Sequence, residues 1–240
     1  MWLDVVHYGL EVDEKVFGCL LTACSESGDG RVAWRMFDEM RRGKIAFKVT
    51  PLMCSMMIKS MSFSIENALE VLQFMEMKGI TPDIHCFTSL LSACAAKANF
   101  HLGMVVIKQM EKMGIVKDLI IFNSLINFYA KCGYLQLAEN IFNDIKQVGD
   151  IITWNSMLSA YGIHGSGEQC LRLFQQLLNQ RSISPNSNTL VCVLVACSHS
   201  GLINEALTFY FTMKEKFGIK PDERHICCII DALGRGGKIS

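Results

Sequence analysis

Three features are scarce in this chain of 240 residues, and each scarcity removes a class of function. Net charge is absent, because 23 basic residues balance 23 acidic ones. A strong non-specific binder of nucleic acid draws much of its affinity from counterions released by a basic stripe, so that class is disfavoured. A binder that depends on contacts to base edges stays open. Long apolar runs are absent too. The longest, Leu190 to Cys197, is far short of the ~20 residues that a membrane-spanning helix needs, so no membrane partner is expected. The third scarcity is metal-site spacing. Eleven cysteines and six histidines include no Cys-x-x-Cys and no His-x-Glu, so the zinc deaminase signature is missing. Neither a metal nor a cofactor is expected. Gly234-Arg235-Gly236-Gly237-Lys238 imitates a phosphate loop only superficially, because Ala232 stands where the first glycine belongs and Ile239 follows the lysine. It reads as a helix-end turn. Repeat sequence begins almost at Met1, so any targeting segment is expected upstream of it.

What the chain has is repetition. Thirty-five residues separate Met40, Met75 and Met110, and thirty-five more lead to Ile145. The same interval links Gly79, Gly114 and Gly149, and also Leu21, Met56, Leu91 and Ile126. A period in the thirties with helical apolar spacing predicts an all-α fold, an α-solenoid of antiparallel helical hairpins wound as a right-handed superhelix. The copies are framed as 14–48, 49–83, 84–118, 119–150, 151–186 and 187–222. Residues 1–13 read as the end of a truncated copy and 223–240 as the start of another. The chain is therefore expected to be a segment of a longer protein. The apolar residues Ile226, Ile229, Ile230 and Leu233 are expected to lack a covering repeat, which favours self-association through the cut ends.

The copy at 119–150 shows the logic of one unit. Phe122, Leu125, Ile126 and Tyr129 fall at i, i+3, i+4 and i+7, one apolar helix face. Gly133 ends that helix, and Gly28, Gly165, Gly201 and Gly237 are its counterparts at the fifteenth place of other copies. In the second helix Ala138 is the small contact residue, with Ala68, Gly103, Cys170 and Ala206 in the same place elsewhere. Between copies run Gly79-Ile80-Thr81-Pro82-Asp83, Gly114-Ile115-Val116-Lys117-Asp118 and Gly218-Ile219-Lys220-Pro221-Asp222, in which the final Asp is a helix N-cap by position. The copy at 49–83 is weak, with Pro51 inside its expected first helix and Met53 at its fifth place. Cys24, Cys94 and Cys197 share the eleventh place and Cys19 and Cys192 the sixth, which predicts small buried core residues and no metal ligands.

These residues resemble the pentatricopeptide repeat family across essentially the whole chain. Thr153-Trp154-Asn155-Ser156-Met157-Leu158, with Leu173-Phe174 and Pro185-Asn186, is similar to its standard long unit. Phe122-Asn123-Ser124-Leu125-Ile126 with Tyr129-Ala130-Lys131-Cys132-Gly133 resembles the shortened unit of the plant-type subclass, the one with alternating long and short units. Phe87 to Cys94 resembles the alternate long unit, and Ala196 to Leu202 and Asp231 to Gly237 resemble the last long and last short units. The resemblance implies that each unit reads one base of single-stranded RNA through its fifth and its last residue. The implied pairs are Thr88 with Asp118 (guanine), Asn123 with Asp150 (uracil) and Asn155 with Asn186 (a pyrimidine). Ile120 and Ile152, second in their units, are the implied walls of the base slot, with inter-repeat core as the rival reading. The last residue pattern normally precedes extension and deaminase-like domains in organelle RNA editing factors. The resemblance thus implies a place in mitochondria or chloroplasts, a role in RNA processing or C-to-U editing, an editing deaminase or other editing factor as partner, and no catalysis by the segment itself. The competing function is a protein-interaction solenoid of the tetratricopeptide type. That rival suits the neutral charge but not the polar residues recurring at one phase, and the Trp-x-x-Leu-Gly-x-x-Tyr pattern is missing.

Overall fold

Thirteen helices follow one another along the described residues of the computed structural model, which are 13–44, 47–61, 64–180 and 182–237. They are α1 (Glu14–Ser27), α2 (Gly30–Arg41), α3 (Pro51–Ser60), α4 (Ile65–Met77), α5 (Ile84–Ala96), α6 (Phe100–Lys112) and α7 (Leu119–Lys131). Then come α8 (Leu135–Ile145), α9 (Ile151–Ile163), α10 (Gly167–Leu178), α11 (Ser187–His199), α12 (Ile203–Phe217) and α13 (Glu223–Arg235). There is no strand among the described residues. The fold is an all-α repeat solenoid of stacked helical hairpins. The truncated copy expected at 1–13 lies almost wholly outside the described residues.

Local chemistry sets each helix. Asp13, Thr50, Asp83, Asp118, Asp150, Asn186 and Asp222 each accept a hydrogen bond from a backbone N–H of the first turn and so start the odd-numbered helices. One such cap contributes about 1 kcal/mol. The fifteenth-place glycines close these helices in the left-handed region, with φ of 69° at Gly28, 90° at Gly133, 63° at Gly165, 72° at Gly201 and 64° at Gly237. Gly149 differs from Gly79 and Gly114 and has no positive φ. The shortened copy brings Gly149 next to the cap Asp150, so its interval of thirty-five carries no common role.

Packing follows from residues at fixed places. The fourth and eighth residues of the first helix of a hairpin are buried as Phe17 and Leu21, Phe87 and Leu91, Trp154 and Leu158, and Leu190 and Leu194. Each such side chain contributes roughly 1.5–3 kcal/mol of burial. The small fourth residue of each second helix (Ala33, Ala68, Gly103, Ala138, Cys170 and Ala206) is fully enclosed and lets that helix lie close to its partner.

The helix α3 departs from expectation. Pro51 does not interrupt it but opens it, directly after the cap Thr50. Proline is suited to that first position because its missing N–H would have no partner there. The helix consequently runs two residues later than the repeat interval predicts. Ile58, and not the half-buried Met56, takes the core place of Leu21 and Leu91, and Met53 is core at 4% exposure.

Contacts divide the chain into two compact units, Met1–Val116 and Lys117–Ser240. In the first, α1, α3 and α5 pack side by side as one layer, and α2 and α4 cover them as a second. In the second unit α7, α9, α11 and α13 form the first layer and α8, α10 and α12 the other. Two histidines act as staples of this second unit. His164 bonds to the Ala130 carbonyl and His199 to the Gly162 carbonyl, each at 2.8 Å. At α13 the predicted uncovered face resolves into two parts: Ile226 and Ile230 are exposed, while Ile229 is buried and Leu233 partly so.

Candidate nucleic-acid interface

One ladder of side chains runs along each first layer. It consists of the second and fifth residues of each first helix and the cap that starts the next one. The caps are the last residues of the copies, so any recognition by them is built on a group already tied to a helix start. In Asp118, Asp150 and Asn186 the Oδ1 atom takes the cap bond, at 3.0, 2.9 and 3.0 Å.

The predicted residues are placed as follows. Asn155 and Asn186 are brought together, Nδ2 of Asn155 donating to Oδ1 of Asn186 at 3.3 Å. The Oδ1 atoms of Asn123 and Asn155 are buried and have no hydrogen-bond partner in the protein. An unsatisfied buried acceptor costs about 1–3 kcal/mol, so each of these atoms is a place that a ligand donor would stabilise. Asp150 is exposed and caps α9, which packs on the α7 helix carrying Asn123. Thr88, half-buried in α5, donates to the His85 carbonyl at 3.3 Å, and Asp118 caps α7 in the other unit. Ile120 and Ile152 are 50% and 59% exposed, which removes them from the inter-repeat core.

The sequence reading missed one pair. Because α3 starts at Pro51, its fifth residue is Ser55 and not Met53. The Ser55 hydroxyl lies 3.0 Å from Asp83 Oδ1 and 2.9 Å from the Pro51 carbonyl. The signal was present as Thr50-Pro51, a cap followed by the residue best suited to the first helical position.

The last copy is different in chemistry. Val191 stands at its fifth place, and Asp222 is engaged by Arg224 (2.6 Å), His225 (2.7 Å) and Ser187 (3.1 Å). Arg224, then His225 and Ser187, hold the Asp222 carboxyl well below the usual range. Arg224 also bonds to Asn188 and Ser187, so the second-place residues of this step are polar and tied to each other. Among the described residues no group of three or more His, Cys, Asp or Glu side chains is arranged to hold a metal ion. Burial pushes the thiols of Cys54 and Cys197 up to about 12 and that of Cys192 to about 11, away from the reactive thiolate. Cys19 is exposed, contrary to the core place expected for it.

A stack of hairpins with a polar ladder at one phase defines a helical repeat protein whose recurring surface is suited to an extended partner. The Pentatricopeptide repeat domain model matches residues 70–132 and 105–164, and the PPR repeat model matches 15–45, 152–181 and 189–216. The chain belongs to the pentatricopeptide repeat family. It is 32% identical over 248 residues to a chloroplastic pentatricopeptide repeat-containing protein of Arabidopsis thaliana, spanning 98% of this chain and 27% of that protein. To a mitochondrial one from the same plant it is 34% identical over 235 residues, spanning 98% and 36%. The chain thus spans about a third or less of those relatives. The crystal structure of the pentatricopeptide repeat protein PPR10 in complex with an 18-nt psaJ RNA element is similar in fold, with a TM-score of 0.70 at 21% identity over 98% of this chain and 34% of that one. The same protein from maize, crystallised, gives 0.64 at 19% identity over 99% and 35%.

Proposed function

We propose that this chain binds single-stranded RNA sequence-specifically, one base to each copy in the framing 14–48, 49–83, 84–118, 119–150, 151–186 and 187–222. Asn123 with Asp150 reads uracil, Asn155 with Asn186 a pyrimidine, and Thr88 with Asp118 guanine. Ser55 with Asp83 joins them as a hydroxyl–carboxylate pair of the same chemistry as Thr88 with Asp118. Ile120 and Ile152 flank the bases as apolar walls. The observation that carries the reading is the pair of buried, unpartnered Oδ1 atoms of Asn123 and Asn155 on the ladder. They ask for a donor, and the edge of a nucleobase supplies one. The RNA-bound relative named above supports the same reading.

In its finer form the proposal places the chain among plant-type tracts with alternating long and short units, in a mitochondrion or chloroplast. It marks a site for RNA processing or C-to-U editing and leaves the chemistry to a deaminase or other editing factor. The exposed Ile226 and Ile230 give α13 an apolar face for self-association of the isolated chain.

The test is a selection from randomised single-stranded RNA with the wild type and Asn123→Thr at one salt concentration. The expected result moves the preference at that position from uracil toward guanine and leaves the next position unchanged. An unchanged base profile from a folded, binding variant would mean that Asn123 does not read. Absence of any RNA preference in the wild type would favour the protein-interaction solenoid.

A further inference from the structure

We propose that the hydroxyls of Thr153 and Thr189, the third residues of α9 and α11, are positioning groups that fix which atoms the pairs Asn123–Asp150 and Asn155–Asn186 present to a base. The inference rests on the base-reading proposal above and adds the groups that aim the readers. Both threonines are fully buried. A buried hydroxyl requires a partner, and in each case the partner is the reader that caps the same helix.

The chain of bonds is most complete at Thr189. Its Oγ1 accepts from the backbone N–H of Asn186 at 3.0 Å and donates to Asn186 Oδ1 at 3.0 Å. The backbone N–H of Thr189 donates to that same Oδ1, also at 3.0 Å. A backbone N–H can only donate, so the Asn186 atom that faces it is the amide oxygen. A flipped amide would set its own hydrogens against that donor. Asn186 Nδ2 therefore stays on the outer side. Asn155 meets the same oxygen through Nδ2 at 3.3 Å, which turns its own Oδ1 the other way, buried and without a partner. The N–H sets which face Asn186 shows, and the hydroxyl, a second donor to the same oxygen that touches no base, holds that face in place and with it the orientation of Asn155.

Thr153 does the simpler half of this work. Its N–H and hydroxyl converge on Asp150 Oδ1 at 2.9 and 3.1 Å, which commits that oxygen and leaves Oδ2 as the acceptor that faces away. The two oxygens of a carboxylate are equivalent, so the Thr153 hydroxyl restrains a swing, whereas the Thr189 hydroxyl reinforces an N–H that excludes a different chemical face. Asp118 provides the contrast: its following helix has Ile121 at the third place, and only the backbone N–H reaches the cap from there, at 3.0 Å. At Asp83 the third residue is Cys86, whose N–H reaches the cap at 3.0 Å and whose thiol, a weaker donor than a hydroxyl, also bonds to that carboxylate.

Selection of randomised single-stranded RNA by the full chain, comparing wild type, Thr189→Val and Thr189→Ser, tests this. Val keeps the shape and removes the hydroxyl, and Ser restores it. The expected result for Thr189→Val is a loss of about fivefold in base discrimination at the Asn155–Asn186 position, the worth of one hydrogen bond. The Asn123–Asp150 position should be untouched, and Ser should recover the wild-type profile. An unchanged profile for Thr189→Val, or an equal loss at every position, would overturn the inference, because the second is what a merely structural residue gives. A wild type without preference at this position would sink the base-reading proposal, and the inference with it. Should Thr189→Val unfold the chain, Cys86→Thr is the converse test. It replaces the thiol next to Asp83 by the stronger donor and should sharpen the preference at the Ser55–Asp83 position, and a folded variant with no sharpening counts against the inference.

Discussion

Ala98 shows what single residues decide. Five copies end their first helix on a glycine of positive φ, and in the copy 84–118 the fifteenth residue is alanine with φ of 49°. It is the sole non-glycine residue of positive φ among those described. The left-handed region costs a side chain with a Cβ roughly 1–2 kcal/mol. Part of that returns when glycine replaces it, since glycine loses more entropy on folding. Ala98→Gly should therefore stabilise the chain by about 0.5–1 kcal/mol, read as a higher urea midpoint at unchanged slope. A lower midpoint would show that the αL strain is absent. At this scale much was legible before the structure: the glycines and the caps follow from phase, while the pairing of Asn155 with Asn186 was implied by the family resemblance alone. The Thr153 and Thr189 hydroxyls were not legible. A threonine at the third place of a helix is unremarkable in sequence, and only the bonds in the folded chain tell what its hydroxyl holds.

At the scale of an element, α3 marks the limit of counting by intervals. The interval of thirty-five puts Met53 at the fifth place of its copy and Met56 in the core, while the cap Thr50 with Pro51 shifts both places by two residues. Local chemistry at the helix start outranks the average period, because a helix begins where its first N–H groups find an acceptor and where proline loses nothing. The family models pass over residues 46–69, the stretch that contains this displaced helix. The two registers predict opposite outcomes for one substitution. If Met53 were a ladder residue, Met53→Ala would leave stability nearly unchanged. At 4% exposure it should instead cost about 2–5 kcal/mol, as large-to-small changes in a core do. Chemical denaturation of the variant decides between them. A loss under about 0.5 kcal/mol, typical of an open surface site, would restore the register of the sequence interval.

For the whole molecule the period alone specified the stacked hairpins, since no other arrangement buries both faces of so many half-apolar helices. The division after Val116 was not legible. It falls in Gly114-Ile115-Val116-Lys117-Asp118, which matches the linker at 79–83 residue type for residue type at its Gly, Ile and Asp. What the composition does govern is the electrostatics of binding. With 23 basic and 23 acidic residues, several cations are already paired within the protein, among them Arg41 with Asp38 and Glu70, Lys112 with Glu76, and Arg235 with Asp231. The equal number of acidic residues leaves no net positive charge to attract phosphates, so in the proposed reading affinity comes from base edges and from the apolar walls. A binder that makes 6–10 phosphate contacts loses roughly 10³–10⁵ in affinity between 50 and 200 mM salt. Two contacts on a single strand, at a slope of about −0.7 each, imply a loss of less than about tenfold over the same range. Titration of a selected RNA across that range should show the shallow dependence, and a scrambled RNA of equal length should bind weakly at both ends of it. A loss of a thousandfold, shared by the scrambled strand, would mean that charge drives the association and that the Asn and Asp ladder is incidental to it.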